Sequence, residues 1–138
     1  MPFLAKTDYR FSINLTVLDS LTGGDDSIVD ELSLEAIEEM KSCINERYNV
    51  ISIFSAVGTD RNRTIMMYCK DIALYHIYSI YSLTPIPQSR INRYAKALSW
   101  LQDVRDQKIN VDGLTLSTNP DSAMVKSGGN DKRGNYQQ

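Results

Sequence analysis

Two prolines, Pro85 and Pro87, split the most strongly patterned stretch of this chain, Arg61–Val104. Before them, Ile65, Tyr68, Cys69, Ile72, Tyr75, His76 and Ser79 recur at three- and four-residue steps. After them, Ile91, Tyr94, Ala95, Leu98 and Leu101 do the same. That spacing predicts a helix on each side, each about 30 Å long at 1.5 Å per residue. A proline lacks an N–H and pushes the residue before it out of the helical region, so Thr84 and Ile86 are expected to be non-helical. Pro87 suits the first turn of the second helix. The expected class is mainly α: a small helical bundle built on a long antiparallel hairpin with its apolar faces turned inward.

The first segment is ambiguous. Tyr9, Phe11, Ile13, Leu15 and Val17 alternate with polar residues, which is a strand period. Tyr9, Ile13, Val17 and Leu21 also fit helical steps, with Thr7 or Asp8 as a cap. Strand and helix both remain open for residues 7–21. Gly23-Gly24-Asp25-Asp26-Ser27 reads as a turn. A helix is expected from Ser33, as N-cap, to Arg47. Glu35, Glu38 and Glu39 favour its positive end, and Leu34, Ile37, Met40, Ile44 and Tyr48 form its apolar stripe. Asn49 suits the left-handed cap position. Ile51–Gly58 reads as an irregular connection, and Asp60 as the cap of the long helix. Residues 1–113 are expected to form the helical domain and 114–138 an extended polar C-terminal arm, with a brief extended piece at Leu114-Thr115-Leu116 and weak basic character from Lys126, Lys132 and Arg133.

A chain of 138 residues suits one domain. The net charge of −2 argues against a protein that lives by coating nucleic acid. The charge is uneven. Asp19–Glu46 holds nine acidic residues against Lys41 alone, whereas Asp60–Gln138 holds eleven basic and seven acidic ones. Two solvated faces of different sign account for this; so does a head-to-tail contact between copies that closes into a ring. The start has neither the basic region nor the apolar core of a signal peptide, and Ile72–Leu83 is too short to span a bilayer, so a soluble protein of a reducing compartment is expected.

Catalytic signals are poor. His76, Cys69 and Cys43 lack the paired short spacing of zinc ligands, and a hydrogen-bonded packing role suits His76 better. No glycine-bearing stretch has the phosphate-loop pattern, and Asp25, Asp26, Asp30 and Glu31 miss the calcium-loop spacing. No Ser or Cys has a recognisable base. The expectation is a non-enzymatic protein without a cofactor or metal.

Several pieces recur together from Ile44 onward: Arg47-Tyr48, Gly58 followed by Arg61, Asp71-Ile72-Ala73-Leu74-Tyr75, the proline corner, and Arg93-Tyr94-Ala95-Lys96-Ala97-Leu98-Ser99-Trp100-Leu101-Gln102-Asp103-Val104. In this combination the chain resembles the small helical head–tail connector proteins of tailed bacteriophages, including the Mu-like prophage neck proteins, over roughly Lys6–Gly113. Relatives often carry a glycine shortly after the final Val, where this chain has Gln107-Lys108, and they are helical in the first segment, which tilts residues 7–21 toward helix.

The resemblance implies a structural adaptor: a subunit of a ring, usually dodecameric, below the portal in the virion neck, assembled in the host cytoplasm. Its partners would be further copies, the portal, and tail or stopper proteins. DNA would pass through without sequence-specific binding, and no membrane is involved. On this reading Glu31, Glu35, Glu38 and Glu39 face the channel or Arg90, Arg93 or Lys96 of a neighbouring copy. The segment from Leu114, with Thr115, Leu116, Lys126, Lys132 and Arg133, is then a docking arm that adds a strand to a neighbour, although a passive end fits its composition equally. The alternatives are a helical regulatory or nucleic-acid-binding module, supported by Arg90, Arg93 and Lys96, and a small metal enzyme using Cys43, Cys69 and His76.

Overall fold

A computed structural model describes residues 2–114, 116 and 117, and they form a helical bundle. A 3-10 turn at Lys6–Phe11 leads into α1, Leu15–Thr22. The first segment is therefore helical, in two pieces. Its alternation misleads because Phe11 and Val17 are exposed while Tyr9, Ile13 and Leu18 enter the core. Asn14 caps α1 by accepting from the Thr16 N–H, and Gly23 ends it at φ +65, a backbone that glycine takes without strain.

The next helix, α2, spans Asp26–Ile44 and starts well before Ser33. Asp25 is its cap, accepting from the Ser27 N–H at 3.0 Å; the Ser27 hydroxyl, which also donates to it at 2.6 Å, and then this N–H draw the Asp25 carboxyl below its usual pKa. Ser33 is instead buried in mid-helix. Its hydroxyl donates to the Val29 carbonyl and so accepts from the Tyr9 hydroxyl at 2.5 Å. Val29, Leu32, Ala36, Ile37, Met40 and Ile44 are buried, and Leu34 is not.

Asn49 does not adopt a left-handed cap. Its backbone is extended, and its side chain accepts from the Ser52 N–H to start α3, Val50–Ser55, within the stretch expected to be irregular. Asn62, rather than Asp60, caps α4, Arg63–Tyr81, by accepting from the Ile65 N–H. The proline corner follows, and α5 spans Gln88–Arg105 with Pro87 at its cap position.

The expected antiparallel hairpin is α4 and α5, and α4 is the bundle's central rod. It packs against α1, α2 and α5. Ile65, Cys69, Ile72, Ala73, Leu74 and Ile77 are buried around most of its circumference, and so are Lys70 and Asp71. The buried stripe of α5 is Ala97, Leu101 and Val104, with Tyr94 and Trp100 half-buried; Ile91, Ala95 and Leu98, expected inside, are exposed. The aromatics explain this rotation. Tyr94 stacks on Tyr75 at 4.0 Å and Trp100 stacks on Tyr68 at 4.7 Å, so the small Ala97 comes between them against α4.

Residues beyond α5 return to the start of α3. Among the described residues no strand forms; Tyr48 and Leu116 make an isolated antiparallel bridge, and the Ser117 N–H donates to the Arg47 carbonyl at 3.0 Å. No helix among them is long and apolar enough to cross a membrane.

Candidate assembly surface

The residues with the most chemistry are drawn into the fold. Arg47 donates to the Val104 and Ile109 carbonyls and to the Asn110 side chain, and so closes the C-terminal end of α5. The Tyr48 hydroxyl accepts from the Val111 N–H at 3.1 Å. Gly58 stands at φ +60, which turns its carbonyl to accept from the Arg61 Nε–H. Arg61 also donates to the Phe3 carbonyl and to both carboxylate oxygens of Asp8, at 2.8 and 3.2 Å. Burial pushes the Asp8 carboxyl up, but the Arg61 and Ala5 hydrogen bonds outweigh it and hold the pKa below the usual value.

Asp71 has the opposite balance. It is 4% exposed, one carboxylate oxygen lacks a hydrogen-bond partner among the described residues, and Arg93 Nη1 lies 3.6 Å away. Burial outweighs the neighbouring Arg93, Arg90 and Lys70 charges and pushes its pKa up.

Of the acidic residues expected at an interface or channel, Glu31, Glu35 and Glu38 lie exposed on the outward face of α2, and Glu38 pairs with Lys41 at 3.2 Å. Glu39 is turned inward to His76 Nε2 at 3.1 Å, which ties α2 to α4. Of the basic residues, Arg90 donates to the Ser12 carbonyl at 2.6 Å, Arg93 reaches Asp71, and Lys96 is exposed. Leu114 packs half-buried against the core, and Leu116 is exposed. Thr115, Lys126, Lys132 and Arg133 lie outside the described residues.

The structure adds two surfaces that the sequence reading missed. At the hairpin tip, Ile80, Tyr81 and Leu83 are exposed, Leu83 fully so. At the base of α4, a groove of about 460 Å³ runs between the Lys6–Phe11 turn and the start of the helix. Arg10, Arg61, Arg63 and Lys70 line it together with Asp8 and Phe11. Phe11 is 77% exposed under the Arg10 guanidinium. Lys70 donates to the Asp8 carbonyl, and burial lowers its pKa. The Arg63, Met66, Lys70 spacing was legible as one helical face; the contribution of Arg10 and Phe11 from the distant N-terminal turn was not.

Among the described residues no group of three or more His, Cys, Asp or Glu side chains is placed to hold a metal, so Cys43, Cys69 and His76 form no such cluster. Both cysteines are free thiols.

No curated protein and no solved structure matches the chain. Residues 4–127 match the family described as Bacteriophage Mu, Gp36, a span that covers the whole helical body and continues past Gly113. The chain belongs to the bacteriophage Mu Gp36 family.

Proposed function

We propose that this chain is a structural subunit of the phage neck, a head–tail connector that forms a ring below the portal and extends the DNA channel toward the tail. The observation that carries this reading is the family match over residues 4–127. The packing is consistent with it, because the motif residues Arg47, Arg61, Asp71, Tyr75, Arg93 and Trp100 make contacts that hold helices and turns together. The exposed Ile80, Tyr81 and Leu83 at the hairpin tip suit a contact with the portal or a tail protein. The outward Glu31, Glu35 and Glu38 suit either a channel wall that repels phosphate or a neighbouring copy. The segment from Leu114 onward serves as the docking arm, and the ring is dodecameric.

The test is the mass and shape of the purified protein, alone and mixed with its portal, by light scattering and electron microscopy. A ring, free or on the portal, is the expected result. A monodisperse monomer that ignores the portal would overturn the reading.

A further inference from the structure

The outward face of α2 carries Asp30, Glu31, Glu35 and Glu38 around the half-exposed Leu34, with Lys41 paired to Glu38 along it. The groove at the base of α4 has the reverse pattern. Phe11 stands exposed among Arg10, Arg61, Arg63 and Lys70, and the one acid that lines the groove, Asp8, is already held by Arg61. Each surface is thus an apolar anchor in a charged rim, and the two rims have opposite sign.

The two surfaces of one copy cannot meet. The groove uses the Lys70 flank of α4, whereas α2 is tied to the His76 flank through Glu39. Six residues at 100° each set those flanks about 120° apart around the helix. We infer that the groove receives the acidic α2 face of a second copy of this chain, with Leu34 against Phe11 and Glu31, Glu35 and Glu38 against Arg10 and Arg63. Two different patches of one chain joined in this way make a heterologous contact, which repeats from copy to copy and forms a ring where the rotation closes. The inference deepens the connector reading and rests on it for closure. It moves the basic partner of the α2 face away from Arg90 and Arg93, which are engaged within their own copy by Ser12 and Asp71.

The test is a charge swap in the full chain, scored by light scattering and electron microscopy with and without the portal. One variant carries Glu35→Arg and Glu38→Arg, a second carries Arg10→Glu and Arg63→Glu, and a third carries all four. These side chains are exposed, and circular dichroism checks that each variant folds. Each two-site variant is expected to raise the apparent dissociation constant between copies at least tenfold. The four-site variant, and an equal mixture of the two-site variants, should restore assembly. If the wild type assembles and the two-site variants assemble equally well, or the swap fails to restore them, this contact is overturned while the connector reading stands. If the wild type forms no oligomer on or off the portal, both fall. If the wild type instead binds duplex DNA in a salt-dependent manner, and the Arg10→Glu, Arg63→Glu variant loses that binding with assembly unchanged, the groove is a nucleic-acid site and the contact is overturned.

Discussion

The guanidinium of Arg47 donates to the carbonyl of Val104 at 2.9 Å, across 57 residues of chain. The last carbonyls of a helix have no partner inside it, and here a side chain from the end of α2 supplies one to α5. The same Arg47 offers its own carbonyl to Ser117, so one residue fixes both the end of the hairpin and the path of the chain that follows.

Arg47→Ala should therefore destabilise the protein by about 2–4 kcal/mol, since it removes charged hydrogen bonds to the Val104 and Ile109 carbonyls and to the Asn110 side chain. Urea denaturation measures the loss. Hydrogen exchange should show residues 109–117 opening before α2 and α4. Arg47→Lys should recover only part of the loss, because an ammonium lacks the planar fork.

Gln107 occupies φ +63 just past α5, where its N–H reaches the Val104 carbonyl and the Lys108 N–H reaches Asp103. That is the left-handed helix stop that glycine favours. Gln107→Gly should raise stability by about 1 kcal/mol, read as an increase in Tm. An unchanged or lower Tm would count against the strain.

Asp8 and Asp71 should oppose each other in acid. The folded pKa of Asp8 lies below its unfolded value, so its contribution is present above the unfolded value, about 3.9, and fades as pH falls through the folded one. The folded pKa of Asp71 is raised, so its contribution is present below the unfolded value and fades as pH rises through the folded one. Asp8→Asn should cost about 1–3 kcal/mol at pH 7 by leaving Arg61 without its carboxylate, whereas Asp71→Asn should be neutral or slightly stabilising. Urea titrations from pH 3 to 7 separate the two.

The thiols should react in a fixed order. Cys69 is fully buried, and its pKa is pushed up to about 12, whereas Cys43 is partly exposed. A thiol reagent at pH 8 should modify one cysteine in the native protein, identified as Cys43 by mass spectrometry, and two in denaturant.

Leu83→Asp tests the hairpin tip. The side chain is fully exposed, so stability should change by no more than about 0.5 kcal/mol. On the connector reading, binding to the portal or a tail partner should weaken by tenfold or more. Undiminished binding would remove the tip from the interface.

Much of this architecture was legible in the chain. The sustained period and the prolines outlined α4, α5 and the corner between them. The start of α2 was not, because Asp25 and Asp26 follow two glycines and look like more turn, while the glutamates after Ser33 imitate a first helical turn. The rotation of α5 depended on ring stacks with α4, which a one-helix period does not contain. The groove was hidden for the same reason: Arg61 and Arg63 advertise a face, but the turn that completes it lies about fifty residues earlier.

A helix covered on most sides has little amphipathic contrast to orient it, and α4 is such a helix. Its consecutive charges, Lys70 and Asp71, lie about 100° apart around the axis, one bound to the Asp8 carbonyl and the other facing Arg93. Turning the rod by one residue would set one of them against the wrong partner, Lys70 at Arg93 or Asp71 at the Asp8 carbonyl, and drive the other into the hydrocarbon around Cys69 or Ile72. The pair thus acts as a rotational key, admitting one setting of α4 among several that are similarly greasy.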